Sequence, residues 1–173
     1  MTPIELEIGM GRAHFLFERA AQVPTHQIVG IEYKARWVTK AIYKQQREQI
    51  LNITPIHGDA WEVVPALFGP ESLDLIILNF PDPWWKKRHH KRRVLNEKFL
   101  GILVSYLKPG GQFFFQSDVP ELFEIYSNLL ESKLTKMPCD SNPLGAKSHR
   151  EKKCEELGEP IYRRLFYKRA EFR

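Results

Sequence analysis

The sequence predicts an α/β protein built on a mostly parallel sheet, with helices on both faces and an antiparallel strand near the C-terminal end. Three observations predict it. Short runs rich in Ile, Val, Leu and Phe recur along the 173 residues, and each has the length of a strand. Segments that suit helices separate most of them, and that alternation belongs to a parallel sheet with right-handed crossovers. The last run, "PIYRRLFYKR" at 160–169, has no long crossover before it and so suits antiparallel pairing.

The elements follow in order. "IELEI" (4–8) is the first strand and "GRAHFLFERAAQ" the helix after it. "QIVGIE" (27–32) precedes a second helix in "KARWVTKAIYKQQREQ". "NITPIHG" (52–58) and "LDLIIL" (73–78) are the third and fourth strands. In "NEKFLGILVSYL", Phe99, Leu103 and Leu107 recur at a spacing of four with Ile102 and Tyr106 beside them, one apolar stripe at helical period. "KPGG" (108–111) is expected to stop that helix and turn the chain into the fifth strand, "GQFFFQS" (111–117), because Pro109 cannot continue a helix and glycines permit a tight turn. Asp118 reads as the N-cap of a helix in "PELFEIYSNLL". A short helix is expected at 148–157, where Ser148 and Glu151 fit an S-x-x-E capping box. No repeat, linker or low-complexity segment interrupts the chain, so one domain over residues 1–173 is expected.

Composition narrows the class. Hydrophobic residues make up 43% and charged ones 27%, the balance of a folded chain. The net charge is +5, and Lys86, Lys87, Arg88, Lys91, Arg92 and Arg93 supply six of the positive charges; without them 20 Lys and Arg would face 21 Asp and Glu. Basicity concentrated in one loop points to a polyanion such as nucleic acid or an anionic membrane, against the blander readings of a solvated loop or an import signal. Cys139 and Cys154 stand far apart and outside metal-ligand spacing, as reduced cysteines of a cytosolic protein do. There is no charged n-region before an apolar core, and no apolar run approaches the ~20 residues that span a bilayer. A cytoplasmic protein without membrane contact is expected.

In open α/β sheets ligands bind at the carboxyl ends of the strands, where strand order reverses. Glu7-Ile8-Gly9-Met10-Gly11 stands at the end of the first strand. Gly9 and Gly11 let backbone approach a ligand, and Glu7 beside them repels a pyrophosphate but suits a cationic, amino-acid-like group. Glu32 ends the second strand, where a carboxylate can accept both hydroxyl protons of a ribose diol. Asp59, in "HGDA" after the third, can accept from an adenine amino group. Three acids after three successive strands describe a pocket for a positively charged nucleoside without phosphate, and S-adenosylmethionine is such a molecule. Each acid alone is as easily a helix cap or a surface residue.

The fourth strand leads into "NFPDPWWKKRHHKRR" (79–93). Pro81 and Pro83 restrict the backbone on both sides of Asp82 and present its carboxylate from a stiff turn. Trp84 and Trp85 either stack on a splayed base or anchor the loop to the core. Lys86, nearest Asp82, is the best placed of the cations for a specific contact. His89 and His90 lack the accompanying ligands of a metal site, and no metal is expected.

The segments "LEIGMG", "GIE", "GDA", "NFPDPWWKKRHHKRR", "QSD" and "SHREKKCEELGEPIYR" resemble the bacterial tRNA (guanine-N7)-methyltransferases over almost all of residues 4–168. The resemblance implies a Rossmann-like, class I S-adenosylmethionine-dependent methyltransferase that makes 7-methylguanosine in the variable loop of tRNA and releases S-adenosylhomocysteine. It implies cofactor contacts at Glu7, Glu32, Asp59 and Asp82, with Asp82 also catalytic, and substrate contacts at Lys86, Asp118, Ser148 and Glu151. Three departures stand out. Ala13 replaces a glycine of the first loop, Ser148-His149-Arg150-Glu151 stands where the family usually has Thr, any residue, an aromatic and Glu, and the chain begins almost at the first strand. The alternatives are a different nucleobase methyltransferase and a non-catalytic RNA-binding module with an eroded cofactor site. Exocyclic-amine methyltransferases carry a second proline before the aromatic, which Trp84 replaces here. A monomer or a homodimer is expected.

Overall fold

The computed structural model describes residues 2–84, 86, 88, 89 and 93–170. Among the described residues, seven strands form one sheet. β1 (Ile4–Ile8), β2 (Gln27–Glu32), β3 (Ile53–His57), β4 (Leu73–Asn79) and β5 (Leu107–Ser117) run parallel. β6 (Thr135–Met137) is an edge strand, and β7 (Tyr162–Tyr167) lies antiparallel between it and β5, so the order is β3-β2-β1-β4-β5-β7-β6. The predicted architecture is the one observed, and the strand order reverses between β1 and β4. A cleft at a sheet's carboxyl edge opens at such a reversal, because the crossovers on either side leave in opposite directions.

Among the described residues, six helices cover the two faces: α1 (His14–Gln22), α2 (Ala35–Glu48), α3 (Ala60–Leu67), α4 (Glu97–Tyr106), α5 (Pro120–Glu131) and α6 (His149–Leu157). Side chains alternate across a strand, and β4 and β5 divide accordingly. Ile76, Leu78, Phe113 and Phe115 pack under α4 and α5 together with Leu103 and Tyr126. Leu75, Ile77 and Phe114 pack on the opposite face with Phe15 of α1 and with Leu144 and Ala146. On that face β2 receives Leu16 of α1 and Val38 of α2. A side chain at Gly30 would press on Met10 Sδ at 2.7 Å, so the missing Cβ is what lets the loop after β1 lie against β2.

Two elements were not anticipated and one expectation is corrected. α3 was not legible as a helix, since it has eight residues and contains Pro65. β6, three residues long, was not foreseen. "KPGG" is not a turn ahead of β5 but part of it: Leu107 pairs with Leu73, and the register then jumps so that Gln112 pairs with Leu75. Gly110, at φ 78°, takes up that irregularity and donates its N–H to Lys168 O at 2.8 Å. Pro55 sits where β3 is the sheet edge, the one place a strand tolerates a missing donor. Among the described residues no helix is long and apolar enough to cross a membrane.

Candidate active site at the carboxyl edge of the sheet

Glu7 and Glu32 lie on neighbouring strands and both are buried. Glu7 follows the alternation of "IELEI": Leu6 and Ile8 enter the core under α3 and α4, which turns Glu5 and Glu7 to the α1 face. Glu5 is paired there with Arg19 at 2.7 Å and hydrogen-bonded to His26 Nδ1 at 2.7 Å. Glu7 has no such cation among the described residues. One oxygen accepts from Asn79 Nδ2 at 3.0 Å, and Oε2 is buried without a partner among the described residues. Burial disfavours the charged form and the Glu32 carboxylate adds to this, outweighing the Asn79 hydrogen bond, so the Glu7 pKa rises to about 7.

Glu32 is held by backbone. Its two oxygens accept from Gly11 N at 2.9 Å and Lys34 N at 2.8 Å, tying the loop after β1 to the end of β2. A carboxylate has about four acceptor positions, so two remain for a diol. The loop itself folds back through Gly9 N and Met10 N, which both donate to Ile31 O. Gly9 and Gly11 have left-handed backbone, at φ 77° and 52°, with open space where a side chain would stand. Ala13 is also left-handed at φ 60°, and its methyl is buried against Met10, Leu16 and Phe17. Asp59 is exposed after β3; one oxygen accepts from Trp61 N at 2.9 Å and caps α3.

The loop after β4 leaves the sheet beside Glu7. Phe80 N donates to Gln116 O of β5 at 2.8 Å, and Arg93 Nε donates to Pro83 O at 3.1 Å, so the loop is pinned at entry and exit. Asp82 is exposed between them. Phe80 and Trp84, on either side of the Pro-Asp-Pro turn, have positive φ of 46° and 48°. Left-handed backbone costs a bulky residue roughly 1–2 kcal/mol, and strain of this kind gathers at functional loops because the surrounding fold over-determines them. The Trp84 ring is half-buried and meets His89 edge-on at 6.0 Å. Lys86 and Arg88 are exposed. Trp85, Lys87, His90, Lys91 and Arg92 lie outside the described residues.

A buried polar chain continues from Glu7 across the sheet. Gln116 Nε2 donates to Asn79 Oδ1 at 2.8 Å and to Glu151 Oε2 at 2.9 Å. Arg163 of β7 donates to Gln116 Oε1 at 3.1 Å and to Glu151 Oε1 at 3.0 Å, and Asn142 Nδ2 also donates to Glu151. Gln116 and Glu151 are wholly inaccessible to solvent. The capping box is therefore half made. Ser148 Oγ accepts from Glu151 N at 3.1 Å, while the Glu151 carboxylate serves this network instead of reaching back to Ser148.

The Asp118 cap expectation is overturned. Val119 is the N-cap residue of α5 and makes no side-chain cap. Pro120 removes one of the backbone donors that Asp118 would have taken, and the Asp118 carboxylate is bound by the Arg150 guanidinium through Nε at 2.8 Å and through Nη2. Arg150 also reaches Glu159 at 2.9 Å. Asp118, Cys154 and Glu159 are the one group of possible metal ligands among the described residues, and Arg150 already brings positive charge to it.

Glu7, Gly9, Gly11 and Glu32 are thus drawn together by direct bonds and packing, with Asp59 and Asp82 on the flanking strands' exits at the same edge. Ser148, Glu151 and Asp118 belong to the β5–α6–β7 side. Asn79, Gln116, Asn142 and Arg163, which join these groups, were not anticipated; Asn79 and Gln116 stand at the ends of apolar strands, and a polar side chain there is the signal that was available.

A family model described as "Putative methyltransferase" matches residues 1–164. Two curated relatives are tRNA (guanine-N(7)-)-methyltransferases. That of Synechococcus sp. (strain JA-3-3Ab) is 35% identical over 166 residues, 93% of this chain and 70% of the relative. That of Myxococcus xanthus is 34% identical over 174 residues, 97% and 84% of the two chains. The chain belongs to the tRNA (guanine-N7)-methyltransferase family. Solved structures agree on the fold. A 30S ribosomal A1408 methyltransferase from an uncultured bacterium superposes with a TM-score of 0.68 at 17% identity, over 96% of this chain and 87% of that one. A precorrin-6y C5,15-methyltransferase from Geobacter metallireducens gives 0.64 at 15%, over 96% and 80%.

Proposed function

We propose that the protein is a tRNA methyltransferase that uses S-adenosylmethionine to convert a guanine of the tRNA variable loop to 7-methylguanosine. The observation that carries the reading is the pairing of two features at one sheet edge: a buried carboxylate with an orphaned oxygen, Glu7, and a strained, doubly pinned loop that presents Asp82. The residues fit the cofactor's chemistry. Glu7 suits an ammonium or sulfonium, Glu32 keeps acceptor positions for a ribose diol, and Asp59 keeps an oxygen for an adenine amine.

When bound, S-adenosylmethionine supplies an electrophilic methyl group, and the guanine N7 lone pair takes it with no proton to remove. Asp82 therefore need not be a general base. Its carboxylate accepts from the guanine N1 and N2 hydrogens, fixes the ring in plane, and opposes the positive charge the purine gains as the sulfur loses it. Lys86 and the cations after it neutralise phosphates, each releasing counterions. The buried Glu151 network sets where α6 and Asp118 stand relative to that loop, so Ser148 and Glu151 shape the substrate side from within. The reading carries with it a cytoplasmic enzyme working as a monomer or a homodimer.

The test is direct: an unmodified tRNA transcript and S-adenosylmethionine are incubated with the protein, and the digested RNA is analysed by mass spectrometry. 7-Methylguanosine is the expected product. A different methylated nucleoside, or none, overturns the substrate assignment.

A further inference from the structure

The basic loop after β4 is the conspicuous cationic feature of the sequence, but the structure gathers a second group of cations on the other side of the candidate cofactor site. Between Glu32 and Glu48 the chain has five Lys or Arg residues and no acid. On α2 the guanidinium of Arg36 lies 4.8 Å and the Lys40 ammonium 5.1 Å from the Trp37 ring centre. Arg12, from the loop after β1, joins them at 5.2 Å. Three cations thus share one indole, and none of them has a carboxylate partner among the described residues. Cation–π attraction offsets part of the repulsion between them, and a polyanion would remove the rest.

The stripe is longer than the cluster. Arg36, Lys40, Tyr43 and Arg47 follow one another at spacings of four, three and four along α2, with Trp37 and Lys44 beside them and Tyr33 just before the helix, and Tyr33 and Tyr43 are 74% and 66% exposed. Large exposed aromatics interleaved with cations suit stacking on bases and tracking of a phosphate backbone. The apolar residues α2 needs for its own packing, Val38 and Ala41, are on its buried side, so the aromatics are not core residues that have slipped outward.

We propose that this face of α2 is a second RNA contact, which binds a part of the tRNA separate from the nucleotide presented to Asp82. It rests on the tRNA reading above. α2 begins three residues after Glu32, at the carboxyl edge, and its 14 residues extend about 21 Å from there. β1 lies between β2 and β4 in the sheet, so the α2 face and the basic loop flank the acids from opposite sides. A single small anion does not span that arrangement, whereas a folded polynucleotide does.

The experiment uses the full chain and the triple variant Arg36→Gln, Lys40→Gln, Tyr43→Ser, all at exposed positions of α2. Expected are a rise of roughly tenfold in both Kd and KM for the tRNA transcript, kcat at saturating tRNA and S-adenosylmethionine affinity unchanged, and a log Kd versus log salt slope shallower by about 1.5, from two lost phosphate contacts. Changes in Kd and KM of less than twofold overturn the proposal. So does a loss of binding to vesicles of phosphatidylserine in phosphatidylcholine with tRNA affinity intact, which would make the face a membrane surface. If the unchanged protein binds the transcript but does not methylate it, the guanine reading fails while the binding comparison still decides the α2 face.

Discussion

Glu151 and Arg163 form an ion pair at 3.0 Å in which the carboxylate has no solvent exposure at all. Its other neighbours, Gln116 and Asn142, fill the remaining acceptor positions, so α6 is fastened to β5 and β7 by a group that cannot be replaced singly. Breaking a buried pair by removing one partner costs about 3–5 kcal/mol, because the surviving charge is left in a poor solvent. Glu151→Ala should therefore lower Tm by on the order of 10 °C, measured by calorimetry or circular dichroism. A shift of a degree or two would mean that the site is wetter and less coupled than its geometry implies.

The Glu7 carboxyl predicts an unusual pH dependence. Its folded-state pKa of about 7 is above the ordinary value of 4.5. Between those values the folded protein holds a proton that the unfolded chain has released. Stability from this group is therefore complete below about pH 4.5 and is lost as pH rises through 7. Relative to wild type, Glu7→Gln should be nearly neutral at pH 5 and stabilising at pH 8 by on the order of 3 kcal/mol. Denaturant unfolding at the two pH values checks it; an effect equal at both would remove Glu7 as the titrating group. A cationic ligand reverses the balance, since it favours the ionised form. S-Adenosylmethionine should bind more weakly at pH 5.5 than at pH 7.5 by on the order of tenfold, and the difference should vanish in Glu7→Gln.

Ala13 tests how much the first loop depends on its backbone. Left-handed backbone costs an alanine about 1 kcal/mol, and burial of its methyl returns a similar amount, about 0.8 kcal/mol. Ala13→Gly should thus change stability by less than about 1 kcal/mol, whereas Ala13→Val, β-branched in the same conformation, should destabilise by about 2 kcal/mol or more. Chemical denaturation separates the two outcomes.

What the sequence made legible follows from local periodicity. β1, β2, β4 and β5 are apolar runs whose length and turn signals leave little choice, and the acids at Glu7 and Glu32 were readable because they break such runs at the ligand-binding end. α3 and β6 were hidden by shortness, with too few residues to establish a period, and Pro65 argued against a helix that tertiary packing of Val64 and Trp61 nevertheless supports. Asp118 was misread because its partner, Arg150, is 32 residues away, and no local rule anticipates a long-range guanidinium competing with a helix terminus. The polar chain through Asn79, Gln116, Asn142 and Arg163 is long-range throughout, which is why only its Glu151 end could be named.

The Asp118–Arg150 pair yields a coupling prediction. Arg150 is partly exposed, so its removal should cost stability only about 1 kcal/mol or less. Its effect on substrate should be larger, because the two-pronged guanidinium fixes the direction of the Asp118 carboxylate. Asp118→Asn and Arg150→Ala should each raise KM for tRNA several-fold, and the double variant should be no worse than either alone. Additive effects in the double-mutant cycle would show that the two residues act independently.

Asp82 is the sharpest case, because its loop is held ready before any substrate arrives. The left-handed backbones of Phe80 and Trp84 and the bonds from Phe80 N and Arg93 Nε fix the turn, so replacing the exposed Asp82 side chain should leave the fold intact. If the carboxylate acts on the purine ring as it gains charge, its contribution is concentrated in the transition state and little of it appears in the affinity for RNA. Asp82→Ala and Asp82→Asn should then lower kcat by roughly 10² to 10³ while the Kd for the tRNA transcript stays within about threefold, or about 0.7 kcal/mol. Asn is the more informative substitution. It preserves size and one acceptor oxygen but removes the charge, so near-wild-type turnover would assign Asp82 to orienting the guanine alone, and a loss matching that of Ala would assign the rate to its negative charge.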